Sequence, residues 1–280
     1  VTQHAFSTNA NPLEGTLQFA TTPRYLAGGG DPRRVTEVLR AAGWRDHSAR
    51  GYPHVLLASP DMATRLALEP SAPDPYAAWW RFNSSTWYAR FGGNIPVEIL
   101  AGFCDALVQP GPDRPPAPCD IRAVLASTSW STDGAREGVE SAVSPDGCVR
   151  MSPHPHPGTD EETEQPAWSA EATLSTGAGG RARWWSAWFS HGTPTALVAG
   201  FAEQLVSRAP VYRSSFGLPH PRLLAQEPTP VHGKQLAADH RQRLARVRAA
   251  SRKQRKNAAA PAARAPAVPA AADTTAAARR

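Results

Sequence analysis

The stretch Trp87-Tyr88-Ala89-Arg90-Phe91-Gly92-Gly93-Asn94-Ile95-Pro96-Val97-Glu98-Ile99-Leu100-Ala101-Gly102-Phe103 returns as Trp185-Ser186-Ala187-Trp188-Phe189-Ser190-His191-Gly192-Thr193-Pro194-Thr195-Ala196-Leu197-Val198-Ala199-Gly200-Phe201. The offset is 98 residues and no gap is needed; the match runs on to Val108 and Val206. An internal repeat of this kind decides architecture before any single residue does. Trp87, Ala89 and Phe91 alternate, as do Trp185, Ala187 and Phe189, which is the pattern of a strand with one buried face. After the prolines the spacing changes. Ile99, Leu100, Phe103 and Leu107 form one helical stripe, and Leu197, Val198, Phe201 and Leu205 form its counterpart. Thr193 and the two prolines suit a helix start. Gly102 and Gly200 sit inside these helices, where glycine costs about 1 kcal/mol against alanine, so close approach of the helix backbone is expected.

Working outward, Asp31-Pro32 opens a segment in which Val35, Val38 and Leu39 share a helical face before Trp44. Ile121, Val124 and Leu125 before Trp130 match it. Ser59-Pro60-Asp61 and Ser144-Pro145-Asp146 fit type I turns between strands. Trp79 to Phe91 and Trp168 to Phe189 read as strand, turn, strand. The expected fold class is therefore α+β, with two tandem repeats. Each has a helix, an antiparallel sheet of about four to five strands and a closing helix. The expected boundaries are an N-terminal extension (1–23), repeat 1 (24–109), a Pro-rich linker (110–118), repeat 2 (119–209) and a basic, Ala/Pro-rich C-terminal tail (210–280), largely disordered or in part helical. An acidic excursion near 154–166 enlarges a loop of repeat 2.

Doubled SPD turns, a Trp-rich hairpin and a closing Trp-x-Ala-x-Phe strand followed by a Pro and an Ala-Gly-Phe helix resemble the SPDY-type domain, family 317 of the domains of unknown function. The resemblance spans roughly residues 24 to 208 and departs from the family at the fourth letter of the turn, where Met62 and Gly147 replace the aromatic. It implies an actinomycete source, two copies in one chain, and no known reaction, cofactor or catalytic residue.

Charge is divided along the chain. Residues 1–218 hold 17 Arg, no Lys and 21 acids, a balance of −4; residues 219–280 hold 13 basic and 3 acidic residues, a balance of +10. Such asymmetry points the C-terminal part toward an anionic partner. The residues that would contact nucleic acid are Arg241, Arg243, Arg246, Arg248, Arg252, Lys253, Arg255 and Lys256. They carry no base-reading pattern, so contact would be with phosphate. No apolar run approaches a membrane span, and no signal peptide is visible in Val1 to Asn11. Three cysteines without a CxxC pair fit neither a disulfide framework nor a zinc site, so a cytoplasmic setting is expected.

Candidate chemistry is sparse. Asp61 and Asp146 would be a carboxylate pair if they met, but turn capping accounts for both. His154, His156 and His191 would need to converge at about 2 Å from an ion to make a metal site. Gly28-Gly29-Gly30 lacks the Lys-Ser/Thr of a phosphate loop. Of the nine Trp, one in each of the adjacent pairs Trp79-Trp80 and Trp184-Trp185 must face away from the core of its sheet. That face is expected to pack against the other repeat; if it is instead exposed near Arg81, Arg90, Arg181 and Arg183, it would suit base stacking. No catalytic residue, cofactor or metal is expected. The leading expectation is a non-enzymatic protein that contacts nucleic acid through its basic segment. The alternative is a protein-interaction module using Trp-bearing sheet surfaces, with an inert tail.

Overall fold

The computed structural model describes residues 15–70, 78–108, 120–136, 139–154, 167–175, 179–216 and 218–259. The Pro-rich linker and most of the acidic excursion, His156 included, lie outside the described residues, as do residues 260–280. The fold is mixed α+β with antiparallel sheets. The first half runs from α1 (Arg33–Ala41) through β2 (Arg45–Asp46), β3 (Val55–Ala58), β4 (Thr64–Leu68), β5 (Ala78–Ser84) and β6 (Tyr88–Gly92) to α2 (Val97–Val108); β1 (Leu17–Thr22) precedes it. The second runs from α3 (Ile121–Ala126) through β7 (Ser131–Arg136), β8 (Val139–Val143), β9 (Val149–His154), β10 (Ala167–Ser175) and β11 (Arg181–Phe189) to α4 (Thr195–Val206).

These strands make one ten-stranded sheet in the order β2-β3-β4-β5-β6-β11-β10-β9-β8-β7. Each set of five is a meander, and the two meet edge to edge at β6 and β11, so each covers an edge of the other. Across this seam Phe91 pairs with Ala187, Arg90 with Trp188 and Ala89 with Phe189. Arg90 and Trp188 are also the residues that the 98-residue offset equates. A local twofold axis therefore passes between them. In the helical layer it passes between Gly102 and Gly200, where a Cβ on Gly102 would lie 2.1 Å from the Gly200 carbonyl oxygen.

The core lies between the helices and one face of the sheet. Trp80, Phe82, Ala89, Phe91, Trp185, Ala187 and Phe189 are buried and face Phe103 of α2 and Phe201 of α4. Phe91 and Phe189 pack at 5.4 Å; the Phe91–Phe103 and Phe189–Phe201 contacts, at 5.3 and 5.1 Å, mirror each other. Alternation in the strands and the helical stripe thus converge on one aromatic cluster.

The helix starts differ by a residue from the sequence reading. Pro32 stands just before α1, while Asp31 accepts from the Arg33 backbone N–H as a cap would. Thr193 does not cap α4: its hydroxyl donates to the Ser190 carbonyl, 2.7 Å away, and tightens the preceding turn. Asp120 does cap α3, accepting from Arg122 N–H.

The region from residue 210, expected to be largely disordered or in part helical, forms two strands and a helix among its described residues up to 259. β12 (Val211–Arg213) and β13 (Ala225–His232) flank β1 in a separate three-stranded sheet, and α5 (Gly233–Ala259) follows. The absence of periodicity in 218–233 has a physical reason. β13 is an edge strand with mostly exposed side chains, and an edge tolerates Pro228 and Pro230. Its partner β1 lies about two hundred residues earlier, so no local pattern announces the pairing.

Candidate nucleic-acid interface

Helix α5 is the basic element. Leu236, Ala237, Leu244 and Ser251 are buried, with His240, Arg243 and Val247 half-buried beside them; this stripe faces α1. Leu244 packs with Val38 and Ala41. The Ser251 hydroxyl donates to the Ala42 carbonyl at 2.9 Å, satisfying a group at the end of α1. His240 Nε2 lies 2.9 Å from Glu37, and this hydrogen bond holds the Glu37 carboxyl below its usual range.

Of the eight basic residues singled out from sequence, Arg243 is spent inside the protein on an ion pair with Asp105 of α2. Its place on the buried side of the helix explains this, and the spacing Leu236, His240, Arg243, Leu244, Val247 could have revealed it. Arg241 is exposed on α5. Arg246, Arg248, Arg252, Lys253 and Lys256 are exposed outside the docked stripe, Arg255 is exposed at its edge with Nη1 beside Gly43, and no acidic side chain among the described residues pairs with these six. In a helix of 27 residues, about 40 Å long, residues 246–256 occupy about 15 Å, so these charges are held close together on one stiff element.

The second surface is the face of the sheet opposite the helices. No helix among the described residues covers it. Arg81, Arg90, Trp188, Ser169 and Ser152 stand in one row across five strands, since Arg81 pairs with Arg90, Arg90 with Trp188, Trp188 with Ser169 and Ser169 with Ser152. A shallow cleft of about 450 Å³ opens on this row, lined among others by Tyr88, Arg90, Glu171, Arg183, Ser186 and Trp188. The Arg90 guanidinium lies 4.9 Å from the centre of the Tyr88 ring. His154 stacks on Trp188 at 5.1 Å and meets the Ser169 hydroxyl at 2.8 Å through Nε2. Burial, and then the nearby His191, lower the His154 pKa, so its ring is neutral near pH 7.

The adjacent tryptophans resolve clearly. Trp80 and Trp185 are the inward members, and the Trp185 indole N–H donates to the Tyr25 carbonyl at 2.8 Å. Trp79 lies over Gly93, where any Cβ would come within 2.4 Å of its ring. Trp184 packs edge-on against His220 at 4.5 Å. Trp79 and Trp184 are therefore half-covered by their own chain. Trp188 is half-buried like them and packs against His154, but it stands beside the exposed Arg90, with Arg183 at the same cleft; Arg81 pairs with Glu69, and Arg181 bonds Thr173 and the Gly147 carbonyl instead.

The other sequence candidates find local uses. In each SPD turn the serine hydroxyl donates to the aspartate and accepts the backbone N–H five residues after the serine: Ser59 to Asp61 and from Thr64, Ser144 to Asp146 and from Val149. The aspartates also accept from Ala63 and Cys148. These bonds, led by that from Ser59, hold the Asp61 carboxyl below its usual range. Met62 and Gly147 adopt positive φ of 62° and 66°. The fourth turn position thus calls for a left-handed backbone, for which glycine suits better than methionine. Asp146 also accepts from the Tyr25 hydroxyl at 3.0 Å; burial, and then this carboxylate, push the tyrosine pKa well up.

Gly28-Gly29-Gly30 presents carbonyls inward, the reverse of an anion cradle. Arg213 of β12 donates to the carbonyls of Ala27 and Gly28 and makes a two-pronged ion pair with Glu98 of α2, at 2.8 and 2.9 Å. Burial alone would raise the Glu98 pKa, but Arg213, with Arg34 behind it, holds it below the usual range. Ala196 replaces Glu98 in the second copy, so this clamp exists once. Among the described residues no three His, Cys, Asp or Glu gather as metal ligands would. No helix among them is long and apolar enough to cross a membrane.

Fold and surface together define a mixed α+β scaffold of antiparallel sheets with a basic helix docked on α1. The family model described as SPDY, a domain of unknown function (DUF317), matches two segments of the chain, residues 58–112 and 143–211, consistent with two tandem copies. No curated protein and no solved structure matches the chain.

Proposed function

We propose that this chain is a non-enzymatic, cytoplasmic nucleic-acid-associated protein in which the two copies form an intramolecular pseudo-dimer and carry a phosphate-binding helix. The observation that supports the reading is α5: six exposed basic side chains lack acidic partners among the described residues, five of them outside its docked stripe and Arg255 at its edge. Docking keeps the charges together, which raises their collective field over that of a loose tail. A non-enzymatic role is supported by the SPD turns, which use both candidate carboxylates to hold their own backbones. The alternative of a Trp-mediated protein interface draws less support, since Trp79 and Trp184 are half-covered by neighbouring segments of the chain.

The test is binding of a labelled duplex oligonucleotide by the full chain over a range of salt. If six phosphates are neutralised, log affinity falls against log salt with a slope of about −5. A variant with Arg246, Arg248, Arg252, Lys253, Arg255 and Lys256 all changed to Gln loses both the affinity and the slope. Binding by that variant equal to the parent, or no binding by the parent at low salt, overturns the reading.

A further inference from the structure

We infer that the open sheet face around the seam is a second binding site, for single-stranded nucleic acid, in which Trp188 stacks a base and Arg90 and Arg183 hold phosphates. The inference rests on the proposed nucleic-acid role but uses a surface on the opposite side of the sheet from the helical layer.

A like-charge pair stands beside the seam. Arg81 and Arg90 are directly opposed on neighbouring strands, an arrangement that destabilises a sheet unless something neutralises it. Glu69 pairs with Arg81 alone. Arg90 has no carboxylate partner among the described residues and lies against the Tyr88 ring instead. Arg183, at the same cleft, is exposed and likewise without an ion pair among the described residues. The next residue in the row after Arg90 is an indole. Side chains directly opposite on paired strands stand about 5 Å apart, so Arg81, Arg90 and Trp188 fall within about 10 Å across the sheet, while Arg183, opposite Thr173, stands farther along β11. Tyr88, two residues along β6 from Arg90, adds a second ring that is 37% exposed.

Such an alternation of cation and aromatic on an open sheet suits a flexible strand, whose bases stack on rings while its phosphates meet cations. A duplex keeps its bases in its own stack and would engage only the arginines. Glu171, opposite Ser186 and Arg150, stands on β10 level with the stretch between Trp188 and Arg183, so the anionic path runs along the β6 and β11 side of the cleft. His154 fixes the Trp188 ring from the β9 side and is itself held by Ser169, so the stacking surface is set before a ligand arrives.

The twofold adds a reason for the site to exist once. Arg90 and Trp188 occupy the same position in the two copies, yet they meet on the axis as different residues. A symmetric pair there would give two cations in repulsion or two indoles without charge. Divergence at this one position yields a ring beside a cation.

The full chain is titrated with dT12 and with a 12-base-pair duplex while tryptophan emission is followed. Variants are Trp188→Leu, Arg90→Gln (an exposed change that leaves the core alone) and the six-Gln α5 variant described above. The expected result is quenching by dT12, a loss of about tenfold in dT12 affinity for Trp188→Leu and for Arg90→Gln, and duplex binding unchanged by Trp188→Leu. Retention of dT12 quenching by the α5 variant supports a separate site. Unchanged dT12 affinity in both seam variants, with loss in the α5 variant, overturns the seam site and leaves the α5 reading standing. Duplex binding lost with the α5 charges while dT12 never binds likewise overturns the seam site alone. Absence of binding by the parent to either probe at low salt overturns both.

Discussion

Replacing Gly102 by Ala at the helix crossing tests the packing most directly. A Cβ at 102 would stand 2.1 Å from the Gly200 carbonyl oxygen and 2.4 Å from Gln204 Cγ, where ordinary contact begins near 3.4 Å. The glutamine can swing away; the carbonyl is fixed within α4. The helices must therefore part by about 1 Å, which loosens the contacts of Phe103 with Phe91 and Phe189 beneath them. Two effects oppose each other. Alanine improves helix propensity by about 1 kcal/mol. Overpacking costs about 1–3 kcal/mol, and the backbone obstacle puts this site at the upper end. The net expectation is a loss of about 2 kcal/mol, read as a lower denaturant midpoint with an unchanged slope. For a chain of this size the melting temperature should fall by about 6 °C. Gly200→Ala should behave similarly, its Cβ falling 2.6 Å from the Gly102 carbonyl oxygen. The double variant should cost less than the sum, because helices already parted accommodate the second methyl. A Gly102→Ala protein more stable than the parent by the propensity difference would refute the close crossing.

In the SPD turns, Met62→Gly should raise stability by roughly 1 kcal/mol by relieving a left-handed backbone, and Gly147→Met should lower it by a similar amount, both read from denaturant midpoints. Ser59→Ala and Ser144→Ala each leave a buried backbone N–H unsatisfied and should cost about 2 kcal/mol in the same assay. Glu98 has a depressed pKa in the folded chain, so its contribution is fully present above the unfolded value near 4.5 and is lost as pH falls through the folded value. His154 and His220 are held neutral by burial, with His191 adding to the effect at His154; the unfolded chain takes up their protons first, and stability should begin to fall below about pH 6.5. A parent midpoint that is flat from pH 7 to 5, or a Glu98→Gln variant without a loss of about 3 kcal/mol at pH 7, would contradict these assignments. Leu244→Ala should loosen α5 from α1, seen as faster amide exchange across residues 236–251 with the sheet amides unchanged.

Much of the fold was legible because its determinants are local. Alternation at Trp87, Ala89 and Phe91 and the stripe Ile99, Leu100, Phe103 depend only on strand and helix periods, and both copies show them. The SPD turns were legible for the same reason, down to the aspartates that cap them. The site was less legible. Seven of the eight basic residues chosen from sequence are exposed on α5, but Arg243 is not, because its partner Asp105 sits on α2 some 138 residues away. The seam face was glimpsed as tryptophan near arginine, yet the sequence pointed equally to Trp79 and Trp184. What covers those two, Gly93 against one and His220 against the other, depends on chain crossings that no period encodes.

The sequence by itself therefore determined the two copies, their alternating faces, the turns that join their strands and the charge concentrated near the C-terminus. These follow from residue spacing and backbone preference, which act over a few residues. Tertiary structure alone decided that β6 and β11 join edge to edge, that Arg90 meets Trp188 on the axis, that β1 lies between β12 and β13, and that α5 docks on α1. Those outcomes depend on contacts separated by about 100 to 200 residues, where the matching of surfaces, rather than any local pattern, selects the partner.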